Sequence, residues 1–271
     1  MNEYAPFSMS ANSCDIIEQD SIPIFRKKLS ERSIRSKIIH LLKKIDSPMS
    51  TKLKDLANPS LLVLAQTSPE VSFQREIETW GLWQKAGIKV PDLVFSSPNE
   101  VNFEYIQGAV SLRKMFRKQD YSSYDSFLDL CATIRHLALD KNDPKYLHSD
   151  PHLGNFIVSP DKDIFPIDSG INLKDLPVNE LNAGLICRTL YSITVGSSEK
   201  SFEDLIASYK DSLSPEELTD VRIRLKEPNY IASYLLNVRS HISAKLKNKL
   251  YTHRSSLTYV NRFPQVKKIF S

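Results

Sequence analysis

Glycine is scarce in this sequence: 7 occur in 271 residues, and none precedes Gly81. A glycine-rich phosphate loop in the N-terminal part is thereby excluded, although backbone amides can cradle phosphates without that pattern. Cysteine is scarcer still. Cys14, Cys131 and Cys187 lie far apart and are odd in number, with neither metal-ligand spacing nor a disulfide framework, so a reducing cytosol is expected. No apolar run is long enough to span a bilayer. Residues 1–20 contain no apolar core of the kind a secretory signal needs, and they carry Glu3, Asp15, Glu18 and Asp20. They read as a loosely ordered polar leader. No internal repeat is present.

What the chain does contain suits a globular protein of one large domain or two small lobes, at 41% hydrophobic and 25% charged residues. The formal charge of +4 is modest but unevenly placed. Residues 22–45 hold Arg26, Lys27, Lys28, Arg32, Arg35, Lys37, Lys43 and Lys44. Apolar residues there recur at Ile34, Ile38, Leu41, Leu42 and Ile45, a helical spacing, with a distorted strand pair as the alternative. From residue 221 to the last, Glu227 is the only acid among many cations, including Lys245, Lys247 and Lys249. Such runs are most often solvated faces, and contact with an anionic partner is the other reading. No nucleic acid is expected, because aromatic residues are not interleaved with the cations in a recognisable module.

The chemistry concentrates in Tyr146-Leu147-His148-Ser149-Asp150-Pro151-His152-Leu153-Gly154-Asn155 and the residues after it. Phe156-Ile157-Val158 and the run from Ile164 to Ile167 are short apolar strands. Ser159-Pro160-Asp161-Lys162-Asp163 between them is turn chemistry. A hairpin here sets two loops side by side, one bearing Asp150 and Asn155, the other Asp168. Two carboxylates and an amide oxygen are hard ligands suited to Mg²⁺ and a nucleotide's phosphates.

This constellation of His148, Asp150, Asn155 and Asp168-Ser169-Gly170 resembles the catalytic core of the protein-kinase-like superfamily. Its wording, Asp-Pro-His-x-Gly-Asn, is most similar to the lipopolysaccharide core heptose kinases, with aminoglycoside and choline phosphotransferases behind them. The resemblance implies a two-lobed α+β fold, with a small sheet lobe and a mostly helical large lobe. It implies that Asp150 accepts or orients the proton of the attacking hydroxyl, that Asn155 and Asp168 hold Mg²⁺ on ATP, and that His148 packs under the loop. Residues 1–20 would be the leader, 21–107 the small lobe and 108–271 the large lobe.

Within that frame, Leu61-Leu62-Val63-Leu64-Ala65 is an apolar strand, and a helix follows from about Val71 to Ala86, stopped by Gly87. Glu76 is then the glutamate of the small-lobe helix, with Glu78 as competitor. The strand before this helix should carry a phosphate-gripping lysine, and it has none; Lys52 or Lys54 is expected to supply the charge. Val101 to Ile106 is a strand leading to the hinge, where the backbone of Glu104, Tyr105 and Ile106 would bind adenine. The segment after Gly170 is short and has no Ala-Pro-Glu element, which argues against a conventional protein kinase. Ser214-Pro215-Glu216-Glu217 is a helix start. The expected activity is ATP- and Mg²⁺-dependent phosphoryl transfer to a hydroxyl, foremost a sugar of an anionic glycolipid. The alternatives are a small-molecule kinase, an atypical protein kinase, or a nucleotide-binding pseudokinase serving as an interaction module. A cytoplasmic location is expected, with peripheral contact to the inner membrane face through the basic C-terminal region.

Overall fold

The computed structural model describes residues 12–19, 22–29, 63, 69–97, 100–228, 230–231, 234 and 255–271. Strands β1 (Asn12–Gln19) and β2 (Ile22–Leu29) pair antiparallel along their whole length. With β3 (Leu93–Ser97) and β4 (Glu100–Glu104) they form a four-stranded antiparallel sheet in the order β1-β2-β4-β3. β1 corrects the expectation of a loosely ordered leader at residues 12–19, the part of 1–20 that the structure describes. Its polar sequence holds as a strand because β2 completes its backbone hydrogen bonds. A cross-strand ion pair also joins directly opposed residues, Arg26 Nε donating to Asp15 Oδ1 at 2.9 Å. The same pairing decides the opening of the basic segment in favour of a strand over 22–29.

Helix α1 (Pro69–Lys85) lies against this sheet. It buries Phe73, Glu76, Trp80 and Trp83, a three-and-four spacing that puts them on one face. Phe73, Trp80 and Trp83 join Val101 and Phe103 of β4 in the small-lobe core. The helix ends where Gly87, at φ +79°, takes the left-handed conformation and Ile88 N–H returns to the Trp83 carbonyl at 3.0 Å.

After β4 the chain crosses to the large lobe. Gly108, also left-handed, turns it over the hairpin tip, where a Cβ would sit 3.1 Å from Pro160 Cγ. A second sheet, β5-β6-β7, follows from β5 (Val110–Ser111), β6 (Phe156–Val158) and β7 (Ile164–Pro166). The predicted hairpin is present. Phe156 faces Pro166, and Ser159 N–H closes the turn onto the Asp163 carbonyl at 2.9 Å.

The rest of the large lobe is helical: α2 (Leu112–Arg117), α3 (Tyr124–Lys141), α4 (Val178–Gly196), α5 (Phe202–Asp211), α6 (Pro215–Arg224) and α7 (Ser255–Phe270). α4 is buried almost all round because α3, α5, α6 and α7 all pack on it. Its Gly184 leaves room for Val63, whose Cγ1 would lie 2.2 Å from a Cβ there. α6 opens with the expected cap, Ser214 and Glu217 forming a reciprocal box. The architecture is thus α+β, a small antiparallel sheet with one helix followed by a mostly helical lobe, the two-lobed order that the resemblance implies.

Candidate active site

The catalytic-type loop is hung from α1. Arg75 Nη2, Thr79 Oγ1 and Trp83 Nε1, spaced one helical turn apart, donate to the successive carbonyls of Pro144, Lys145 and Tyr146 at 3.0, 3.1 and 2.8 Å. These carbonyls belong to a short 3₁₀ turn capped by Asp143. Beyond it, α4 holds the loop from below: Thr189 Oγ1 donates to the Pro151 carbonyl at 3.1 Å and Ser192 Oγ accepts from Leu153 N–H at 2.9 Å. His148 is fully buried, its ring centroid 5.4 Å from Trp83 and 4.9 Å from Phe156. Burial pushes its pKa down to about 4 despite the pull of Asp150, so it is a neutral packing group at ordinary pH.

The two loops are locked to each other. Ser149 N–H donates to Ser169 Oγ at 3.2 Å, and Ser149 Oγ accepts from Ile171 N–H at 3.0 Å. Asn155 Nδ2 donates to the carbonyls of Asp150 and Asp168 at 3.0 and 3.4 Å. Its donor end is turned to the backbone, which presents the amide oxygen as the ligand atom. Asp168 has φ +58°, a left-handed conformation that aspartate tolerates better than most residues. Gly170 lies so close to α1 that a Cβ would stand 2.7 Å from the Ser72 carbonyl oxygen and 3.3 Å from Glu76 Oε2.

A buried lysine paired with the α1 glutamate is present, on β2 rather than on the strand before α1. Lys27 is 4% exposed, ion-pairs with the buried Glu76, and donates to Asp168 Oδ1 at 2.9 Å. Burial works against its charge, but Glu76 first and Asp168 second outweigh it and raise the pKa. Burial lifts the Glu76 pKa, with Lys27 opposing. Glu76 is therefore the paired helix glutamate. Glu78 faces outward, bonded to Gln74 and Lys145 at the surface. Lys52 and Lys54 lie outside the described residues, as does the expected strand at 61–65 except for Val63. The lysine was missed because it was sought immediately before the helix, whereas residues 30–68 intervene. The usable signal was a cation in an apolar strand, Ile22-Pro23-Ile24-Phe25-Arg26-Lys27, that had to face inward.

Asp150 is buried, and Arg188 Nε donates to its Oδ1 at 2.5 Å. His152 Nε2 stands 3.6 Å from its Oδ2. Burial alone would raise this carboxyl's pKa; Arg188, and then His152, hold it below the usual range. Arg188 was also missed in the sequence, although a lone cation within the apolar run of α4 demands a partner. Glu104, Tyr105 and Ile106 lie where β4 leaves the small lobe. Glu104 N–H is engaged by the Asp92 carbonyl at 2.8 Å, and the Ile106 carbonyl accepts from Ala109 N–H at 3.2 Å.

Asp168 and Asn155 suit Mg²⁺. Both present oxygen, and the Asp168 side chain is 46% exposed, open to a ligand. Among the described residues no cluster of three His, Cys, Asp or Glu side chains could hold a metal. Mg²⁺ does not need one, since it is commonly bound by one or two carboxylates together with phosphates and waters.

No family model matches the sequence, and no curated protein matches it. Among solved structures, the crystal structure of LicA in complex with AMP is similar at TM-score 0.37 and 12% identity, over 95% of this chain and 88% of that one.

Proposed function

We propose that this chain is an ATP- and Mg²⁺-dependent phosphotransferase that acts on a hydroxyl. The observation that carries this reading is Lys27, which reaches Glu76 and Asp168 together while Asn155 ties the Asp168 loop to the Asp150 loop. Lys27 would hold the α- and β-phosphates, with Glu76 fixing its direction. Asp168 and Asn155 would hold the metal, whose contribution is to neutralise charge on the phosphates. Asp150 would orient and deprotonate the acceptor hydroxyl. Catalysis is then mostly positioning and electrostatics. Lys27 weighs against the pseudokinase reading, whose ground was an absent lysine. The acceptor we favour is a sugar hydroxyl on an anionic glycolipid.

The membrane-facing reading of the basic C-terminal region draws less support. Arg222 donates to the Phe270 carbonyl, and Arg224 pairs with Glu180. Arg262 pairs with Glu199 and stacks on Phe202, and Lys267 pairs with Glu227. These cations hold α6 and α7 to the lobe, whereas Lys245, Lys247 and Lys249 lie outside the described residues.

Thermal unfolding with and without Mg²⁺-ATP tests the function. The nucleotide should raise the unfolding temperature of the wild type, and Asp168→Ala should abolish the Mg²⁺-dependent part. Asp150→Asn should keep the shift while turnover falls by about 10²–10⁴. A wild type that shows no shift at millimolar ATP would overturn the proposal.

A further inference from the structure

The surroundings of Asp150 carry more positive charge than one carboxylate needs. Arg188 already satisfies it. A second guanidinium, that of Arg113 on α2, lies over the same loop. Its Cζ stands 3.4 Å from the point that a Cβ on Gly154 would occupy, and His152 ring atoms lie 2.9 and 3.0 Å from that point. Arg113 thus sits beside His152 above the turn that follows Asp150, where a side chain at position 154 would displace it.

The charges agree with this placement. Arg113 as a residue is exposed, and its Cζ reaches the turn at Gly154. Partial burial lowers its proton affinity, and Arg117 and Arg188 lower it further, with Asp150 opposing. His152, lowered first by burial, is also disfavoured as a cation by Arg113 and Arg188. Among the described residues, neither Arg113 nor Arg117 lies in a salt bridge with a carboxylate. Asp150 is matched by Arg188, and Asp168, whose charge also reaches His152, by Lys27, so Arg113 sits near Arg188 with no carboxylate of its own among the described residues, and like charges brought together are unfavourable. An anion from outside would relieve that.

We propose that Arg113 and Arg188 form an anion subsite beside Asp150, which holds a phosphate or carboxylate group carried by the acceptor near its reacting hydroxyl. This rests on the phosphotransferase reading and names the substrate class of the same site. The two guanidiniums supply fork-shaped donors that match such groups. Arg188 stays paired with Asp150 and offers its remaining guanidinium N–H groups to the anion, so the carboxylate keeps its place beside the hydroxyl. A cationic acceptor such as an aminoglycoside would meet like charge here.

The test uses the full chain saturated with Mg²⁺-ADP, so that the nucleotide site is filled, and inorganic phosphate as the probe at constant ionic strength. Phosphate should raise the unfolding temperature further. Arg113→Gln should weaken phosphate binding roughly tenfold or more while the ADP shift is retained. Lys114→Ala, a neighbouring exposed cation, should leave both unchanged. Competition with phosphate by glucose 6-phosphate would support a soluble phosphorylated acceptor. Competition by phosphatidylglycerol vesicles, absent with phosphatidylcholine, would support a lipid-borne one. The subsite is overturned if phosphate has no effect beyond chloride, or if Arg113→Gln and Lys114→Ala lose phosphate equally. It is also overturned if Arg113→Gln loses ADP rather than phosphate. Loss of the ADP shift in the wild type would instead sink the phosphotransferase reading, and phosphate binding could still be read in the absence of nucleotide.

Discussion

The indole N–H of Trp83 donates to the carbonyl oxygen of Tyr146 at 2.8 Å, joining the small-lobe helix to the loop that carries Asp150. Trp83 itself is fully buried, and with Thr79 and Arg75 it forms a stripe along α1 that holds three consecutive carbonyls. The opposite side of the relationship is Glu76 on the same helix, bound to Lys27. One helix therefore holds both Lys27, to which we assign the phosphates, and the loop of Asp150, to which we assign the acceptor proton.

Replacing Trp83 by phenylalanine keeps most of the apolar bulk and removes the donor. The Tyr146 carbonyl then loses its partner, which costs about 1–3 kcal/mol. Urea unfolding should show this loss. Turnover should fall more than ADP affinity does, since Asp150 is displaced while Lys27 is not. Equal falls in both would mean that the stripe is only a packing contact.

Lys27 and Glu76 form a buried pair, and breaking one side leaves the other charge stranded. Lys27→Met should destabilise the fold by about 3–5 kcal/mol and remove most of the ATP shift. The double variant Lys27→Met with Glu76→Leu should recover much of the stability and none of the nucleotide binding. Recovery of both would mean that another cation grips the phosphates.

The most legible part of the site was the short-range one. The hairpin of residues 156–166 is fixed by local turn chemistry, and Asp150, Asn155 and Asp168 sit at its mouth in consequence. Glu76 was named from the resemblance, with Glu78 as competitor, and the helix places Glu76 on the buried face with Phe73 and Trp80. Lys27 was not legible, because its role depends on a pairing with β4, and residues 30–68 separate it from α1. β1 was missed for the same reason: its polar residues form a strand only because β2 lies alongside. Arg188 and Arg113 come from helices whose sequences say which face is buried but not which loop lies over them.

His148 predicts how the fold responds to acid. Its folded pKa of about 4 lies below the ordinary 6.5, so the unfolded chain binds the extra proton. Its contribution is fully present above pH 6.5 and is lost as pH falls toward 4, by on the order of 3 kcal/mol. Asp150, also depressed, has its ordinary pKa near 3.8 and acts only at lower pH. Urea unfolding at pH 7 and pH 5 should show the wild type weakening. His148→Gln should be less stable at pH 7 but change less between the two. An unchanged pH slope in that variant would assign the acid sensitivity elsewhere.

Arg188 positions Asp150 and sets its proton affinity. Burial would lift the Asp150 pKa, and the guanidinium is the largest influence holding it down. Removing it in Arg188→Met should raise that pKa, so the acid limb of the kcat/KM profile should move to higher pH by roughly one unit or more. The base is then partly protonated where the wild type is fully ionised. Turnover near pH 6 should fall more steeply than at pH 8. Arg188→Lys keeps the charge without the forked geometry, so it should restore the position of the limb better than the full rate. A merely structural arginine would lower the rate evenly and leave the limb in place. That outcome in Arg188→Met, with Asp150→Asn still inactive, would show that Asp150 is tuned by its burial and by His152 instead.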